Sequence, residues 1–199
     1  MTDQIILAST SEIRRSLLRN AGVEFTTMAA RIDEQSITAS LLAENASPRD
    51  IADHLAEMKA LRISQKFPDA LVIGSDQVLE HDGKVLDKPS DLTAAHQQLR
   101  QLRRSKHTLL SAAVVVRGGK PLWRHVGQTR LWMRDFSDEY LQSYLERQGN
   151  DVLSSVGSYK LESEGIRLFA KIEGDYFNVL GIPLLELLNY LATSGVIQK

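Results

Sequence analysis

The chain has 199 residues, 43% of them hydrophobic and 25% charged, with a formal net charge of −1 at pH 7. That length suits one domain with a sizeable core or two small lobes, and the charge balance excludes nucleic-acid or membrane-surface binding driven by bulk electrostatics. The absence of cysteine removes disulfide and thiolate chemistry and fits a reducing compartment.

Strand and helix signals alternate along the chain. Residues 4–7 read as a strand, and Ser11 as the cap of a helix carrying Arg14, Leu17, Leu18 and Ala21, stopped at Gly22. A weaker strand is expected over 24–28, then a polar segment around Asp33 and Glu34. Ser47-Pro48 opens a long helix with the stripe Ile51, Leu55, Met58 and Leu61, ending near Lys66. A strand at Leu71 leads to a hairpin at Asp82-Gly83. Asp91 caps a helix through Leu102; 109–116 and 122–133 are strands joined at Gly118-Gly119. Ser137 caps a helix to about Arg147, 166–172 alternates like a strand, and 183–192 is the last helix. No repeat or linker interrupts the pattern. The N-terminus lacks a basic stretch followed by a long apolar one, and no apolar run reaches membrane-spanning length, so a cytoplasmic protein is expected.

Four constellations could carry chemistry. In Leu7-Ala8-Ser9-Thr10-Ser11-Glu12-Ile13-Arg14-Arg15 a strand feeds a hydroxyl-rich turn and then a helix. Such a turn presents free N–H groups and the positive helix end to an anion, and Arg14 adds a forked donor. A capped helix with a solvated arginine pair explains the same residues. The acidic pair Asp33-Glu34 is followed by Lys59, beside the apolar stripe of the long helix; a solvated loop and a snorkelling lysine are the plain alternatives. Asp76 closes the run Ala70-Leu71-Val72-Ile73-Gly74, and Lys88 follows it by twelve positions. A carboxylate where a buried strand leaves the sheet stands where α/β proteins bind ligands, although it can also open an ordinary turn. The glycine-flanked segments 157–165 and 174–183 suit either a close-approaching loop or simple turns. The five histidines show no metal-ligand spacing, and there is no Walker loop, GxGxxG or nucleophile elbow. Trp123 and Trp132 read as packing residues.

In order and spacing these segments resemble the Maf family of nucleoside triphosphate pyrophosphatases. The pieces are LASTSEIRR, the Asp33-Glu34 pair, LAEMKA, GSDQV, Asp87-Lys88-Pro89, GSYKLES and GDYFNVLGIPLLE. The resemblance implies an α/β fold: an elongated mixed β-sheet flanked by helices, with two lobes around a deep cleft, over 1–199 as a single domain, usually dimeric. It implies hydrolysis of a nucleoside triphosphate to monophosphate and pyrophosphate with Mg²⁺ or Mn²⁺. By the same resemblance Asp76 is the proton acceptor and, with Glu34, the metal-handling carboxylate, while Ser9, Arg14, Lys59 and Lys88 handle the triphosphate. A nucleotide-binding regulator of septum formation, acting without turnover, is the competing class. The family often has proline where this chain has Glu12, and many members have glycine directly after the position matching Glu162.

Three positions separate substrate subgroups, here Ile13, Gln77 and Glu162. Pyrimidine-preferring members carry Arg, Thr and Gln there, so this chain looks closer to the subgroup acting on 7-methyl-GTP. A carboxylate at 162 can accept from guanine N1–H and the exocyclic amine, and it favours a cationic N7-methylated base.

Overall fold

A computed structural model describes residues 4–198. Strand β1 (Ile5–Leu7) is buried at every position and pairs in parallel with β2 (Thr26–Thr27) and with β3 (Leu71–His81). The strand expected over 24–28 is thus only two residues long. Ser11 caps helix α1 (Glu12–Asn20) and Asp33 caps α2 (Glu34–Ala43). The second of these helices replaces the expected polar segment. It buries no residue, so no apolar stripe announces it in the sequence.

Ser47 and Pro48 open α3 (Pro48–Ser64). Its buried face holds Ile51, Leu55 and Ile63, and Lys59 lies on that same face, whereas Met58 and Leu61 are only half-buried. Strand β3 corrects the expectation that Asp76 stands where a short strand leaves the sheet. Asp76 is in the middle of eleven strand residues, because polar Ser75-Asp76-Gln77 continues the ladder into the hairpin. That hairpin reaches β4 (Lys84–Leu86) through Asp82 and Gly83, at φ 51° and 75°, the left-handed pair that a tight hairpin turn demands.

Helix α4 (Leu92–Leu102), strands β5 (Lys106–Arg117) and β6 (Lys120–Met133) and helix α5 (Asp138–Gln148) follow as expected. The strand expected over 166–172 is shifted: Glu164–Leu168 forms a 3-10 turn and β7 is Phe169–Glu173, antiparallel to β6. A short α6 (Tyr176–Val179) and α7 (Leu184–Thr193) complete the chain. The strands make one seven-stranded mixed sheet, in the order β2-β1-β3-β5-β6-β7 with β4 beside β3. Contacts divide the chain into two units: Met1–Gln77 with Ser111–Gly127 and Gly181–Lys199, and Val78–Leu110 with Gln128–Leu180. No helix among the described residues is long and apolar enough to cross a membrane.

In the first unit α3 lies directly on β3. A Cβ added at Gly74 would stand 2.0 Å from the Ala56 carbonyl oxygen and 2.8 Å from the Ala60 nitrogen. Backbone cannot yield as a side chain can, so Gly74→Ala must push helix and strand apart. The expected cost is about 3 kcal/mol, at the upper end of overpacking effects, read as a lowered midpoint in urea. An unchanged midpoint would show that the contact relaxes freely.

The second unit packs Leu79, Leu99, Leu102, Leu109, Leu131 and Leu168 around Tyr144 and Tyr159. His107 is enclosed with them at 1% exposure. Burial, and secondarily His81, holds its imidazole down at about 3 from an ordinary 6.5. The unfolded chain therefore takes up a proton below 6.5 that the folded one refuses until about 3, and stability falls with pH across that window. His107→Gln removes this contribution, so its Tm should fall less than wild type's between neutral and acid pH. Parallel Tm curves would assign the acid sensitivity elsewhere.

Candidate active site

The turn after β1 presents Ser9, whose hydroxyl accepts from the Ser11 amide at 3.2 Å. Arg14, one turn into α1, brings Nη1 to 3.5 Å from that hydroxyl. Its main engagements are with backbone. Nε donates to the Gly181 carbonyl at 2.7 Å and Nη1 to the Ser75 carbonyl at 3.0 Å, while Ser75 Oγ also donates to Gly181 at 3.0 Å. Gly181 has φ 100°, and a Cβ there would crowd the guanidinium at 3.3 Å, so only glycine permits the contact. Arg14 thereby ties α1, β3 and the segment before α7 together. Two of its three nitrogens serve carbonyls, and the Nη2 edge is what it has to offer an anion. Enclosure lowers the guanidinium's pKa from its ordinary value, with Asp76 and then Glu34 acting against that shift.

Asp76 is 6% exposed on β3 and Lys59 8% exposed on α3. Lys59 Nζ donates to Asp76 Oδ1 at 2.6 Å and lies 3.0 Å from Glu34 Oε1 at the start of α2. Lys59 does not snorkel to solvent: α3 aims it at the strand it packs on. Burial pushes the Asp76 carboxyl above its ordinary value, more strongly than Lys59 and then Arg14 pull it down; Glu34 adds to the rise. Asp33 stays outside this cluster because its carboxylate caps α2, accepting from the Ser36 amide at 3.1 Å and hydroxyl at 2.8 Å.

Within the first unit, Ser9 and Arg14 are in contact with each other, Glu34, Lys59 and Asp76 form a second connected group, and the Arg14 bond to the Ser75 carbonyl brings the first group to the residue next to Asp76. Ile13 is half-buried on α1, and Gln77 Nε2 donates to Ser111 Oγ at 3.0 Å. Lys88, beyond β4, and Glu162, in the loop after Tyr159, belong to the second unit and are exposed. No group of three His, Cys, Asp or Glu side chains able to hold a metal ion occurs among the described residues. A single cation, the Lys59 ammonium, does reach both Asp76 and Glu34. Two carboxylates within reach of one positive centre suit a hard divalent ion that keeps waters and takes its other oxygens from a phosphate. Sequence reasoning missed Ser75 and Gly181. Their part is played largely by main-chain carbonyls, which no side-chain pattern reveals; the glycine before Ile182-Pro183 was the available hint.

These features define an α/β protein with a seven-stranded mixed sheet, a hydroxyl-rich strand-to-helix turn and a buried lysine–carboxylate pair in one unit. The family described as Maf-like protein matches residues 4–194. A nucleoside triphosphate pyrophosphatase of Roseobacter denitrificans is 60% identical over 199 residues, covering 100% of each chain. One of the same name from Caulobacter vibrioides is 50% identical over 193 residues, covering 97% of this chain and 96% of its own. A 7-methyl-GTP pyrophosphatase of Brucella abortus is 47% identical over 188 residues, 94% of each chain. The chain belongs to the Maf-like family.

Proposed function

We propose that this protein hydrolyses nucleoside triphosphates, releasing the monophosphate and pyrophosphate. The observation that carries this reading is the buried Asp76 held at 2.6 Å by Lys59, in the unit that also contains the Ser9–Arg14 turn. Asp76 accepts a proton from water as the water oxygen bonds to the α-phosphorus and the bond to the β-phosphate oxygen breaks. A carboxylate raised above its ordinary value is a better base for that step than a solvated one. Ser9, the turn amides, Arg14, Lys59 and Lys88 bind the triphosphate and offset its charge where the chemistry needs positioning more than covalent help. Asp76 and Glu34 would hold Mg²⁺ or Mn²⁺, which would supply charge neutralisation and lower the pKa of water.

The substrate is a modified guanine nucleotide of the 7-methyl-GTP type, read by Ile13, Gln77 and Glu162. The Brucella relative's name and the acceptor-only chemistry of a glutamate at 162 support this. Residues 1–199 work as one domain, in a homodimer, in the cytoplasm. A panel of normal and modified nucleoside triphosphates with and without Mg²⁺ or Mn²⁺, with monophosphate and pyrophosphate quantified, tests the reading. Binding without turnover would overturn it in favour of a regulator. Glu162→Gln should reduce preference for 7-methyl-GTP over UTP roughly tenfold, the worth of one good base contact; an unchanged ranking would remove Glu162 from base recognition.

A further inference from the structure

The second unit encloses a polar pair that the reaction above does not use. His107 on β5 is 1% exposed and Tyr159 4%. The Tyr159 hydroxyl and His107 Nε2 are 2.7 Å apart, their ring centres 5.6 Å, and Phe169 meets the tyrosine edge-on at 4.8 Å. His107 Nδ1 is buried with no partner. If Nε2–H donated, both Nδ1 and the phenol hydrogen would lack partners; with Tyr159 donating to Nε2, only Nδ1–H does. The second arrangement leaves fewer orphans, so a neutral His107 acts as an acceptor for Tyr159. Burial holds the imidazole neutral and pushes the phenol well above its ordinary value, which keeps this single bond in one state over the working pH range.

What the bond anchors is the segment 157–165. Just before Tyr159 the backbone passes through Gly157 at φ 83° and Ser158 at φ 60°. Ser158 Oγ donates to Gln98 Oε1 at 2.7 Å, and a Cβ at Gly157 would meet the Tyr159 ring at 2.5 Å. At the other end a Cβ on Gly165 would lie 2.4 Å from the Lys160 carbonyl oxygen, and the Ser163 amide donates to that carbonyl at 3.2 Å. Glu164 is gripped by Arg147 at 2.6 and 3.0 Å and by Gln148 at 3.2 Å. Both ends of the segment are therefore held, and Glu162 stands exposed between them.

We propose that the His107–Tyr159 pair is a positioning device that sets the shape of the 157–165 segment and, through it, discrimination between nucleotide bases. The second half rests on the reading of this segment as the base-recognition loop. Tyr159→Phe keeps the ring and its packing but removes the hydrogen bond. His107→Leu removes the acceptor, whereas His107→Gln restores one through its amide oxygen.

Amide hydrogen exchange over 157–165 tests the anchoring without substrate. Exchange there should quicken in Tyr159→Phe and His107→Leu and return toward wild type in His107→Gln. The ratio of kcat/KM for 7-methyl-GTP to that for UTP should fall about tenfold in the first two variants, the effect of displacing one recognition group, and recover in the third. A general loss of stability would lower both kcat/KM values together and leave the ratio alone. Wild-type exchange in Tyr159→Phe and His107→Leu overturns the proposal; so does quickened exchange with an unchanged ratio. Glu162→Gln, measured alongside, decides separately whether Glu162 itself reads the base.

Discussion

Asp76→Asn is expected to abolish turnover, by about a thousandfold or more as removal of a general base does, without loss of folded stability near neutral pH. The two halves of that expectation have one cause. Asp76 is enclosed on β3, and burial pushes its carboxyl above its ordinary value despite Lys59 and Arg14. A raised folded-state value means that the folded protein binds this proton more tightly than the unfolded chain does. The associated stabilisation is present at low pH and is lost as pH rises through the folded-state value. At neutral pH the ionised aspartate is thus held at a cost that a neutral amide of the same shape relieves, and in Asp76→Asn the Lys59 ammonium still has Glu34 Oε1 at 3.0 Å, so it is not left as an unpaired buried charge. Thermal melts at pH 7 alongside a pyrophosphate-release assay check both halves. A Tm several degrees below wild type, or turnover within tenfold of it, would contradict this account of Asp76.

Lys59→Met is expected to produce the largest destabilisation at the site. Its side chain is 10% exposed and that of Asp76 8%, and removing one member of a buried ion pair costs about 3 kcal/mol or more. For a chain of this size that corresponds to roughly 6–12 °C in Tm. Methionine fills the same channel along α3, so the loss arises from charge and not from a cavity. Asp76 would keep Arg14 nearby but lose its 2.6 Å donor. The diagnostic measurement is the double variant Lys59→Met, Asp76→Asn. Removing both partners should return most of the stability that the lysine change takes away. If the two substitutions simply add, the 2.6 Å contact is not the reason Lys59 is needed.

Much of the local structure was written in short signals that act within a few residues. Ser11, Ser47, Asp91 and Ser137 each mark a helix start with a side-chain acceptor for a free amide. Asp82-Gly83 and Gly118-Gly119 mark turns that need positive φ. Helix α2 leaves no signal in the sequence because it has no buried face, and polar Ser75-Asp76-Gln77 breaks the apolar run of β3 while its backbone still pairs. Ile166 and Leu168, two apart, suggest one face of a strand, but in the 3-10 turn at Glu164–Leu168 they part, Leu168 buried and Ile166 exposed.

Identity of the reactive groups was legible in the chain itself, since a carboxylate, an arginine and a lysine carry their chemistry wherever they stand. Their physical states were not. That Lys59 faces a carboxylate 17 positions away instead of solvent follows from α3 seating on Gly74, and that Asp76 is pushed above its ordinary value follows from the enclosure this produces. Arg14's attachment to the Ser75 and Gly181 carbonyls spans 61 and 167 positions and involves main-chain atoms common to every residue. Burial, distance and the partner of a hydrogen bond are properties of packing between distant segments, and only the folded chain decides them.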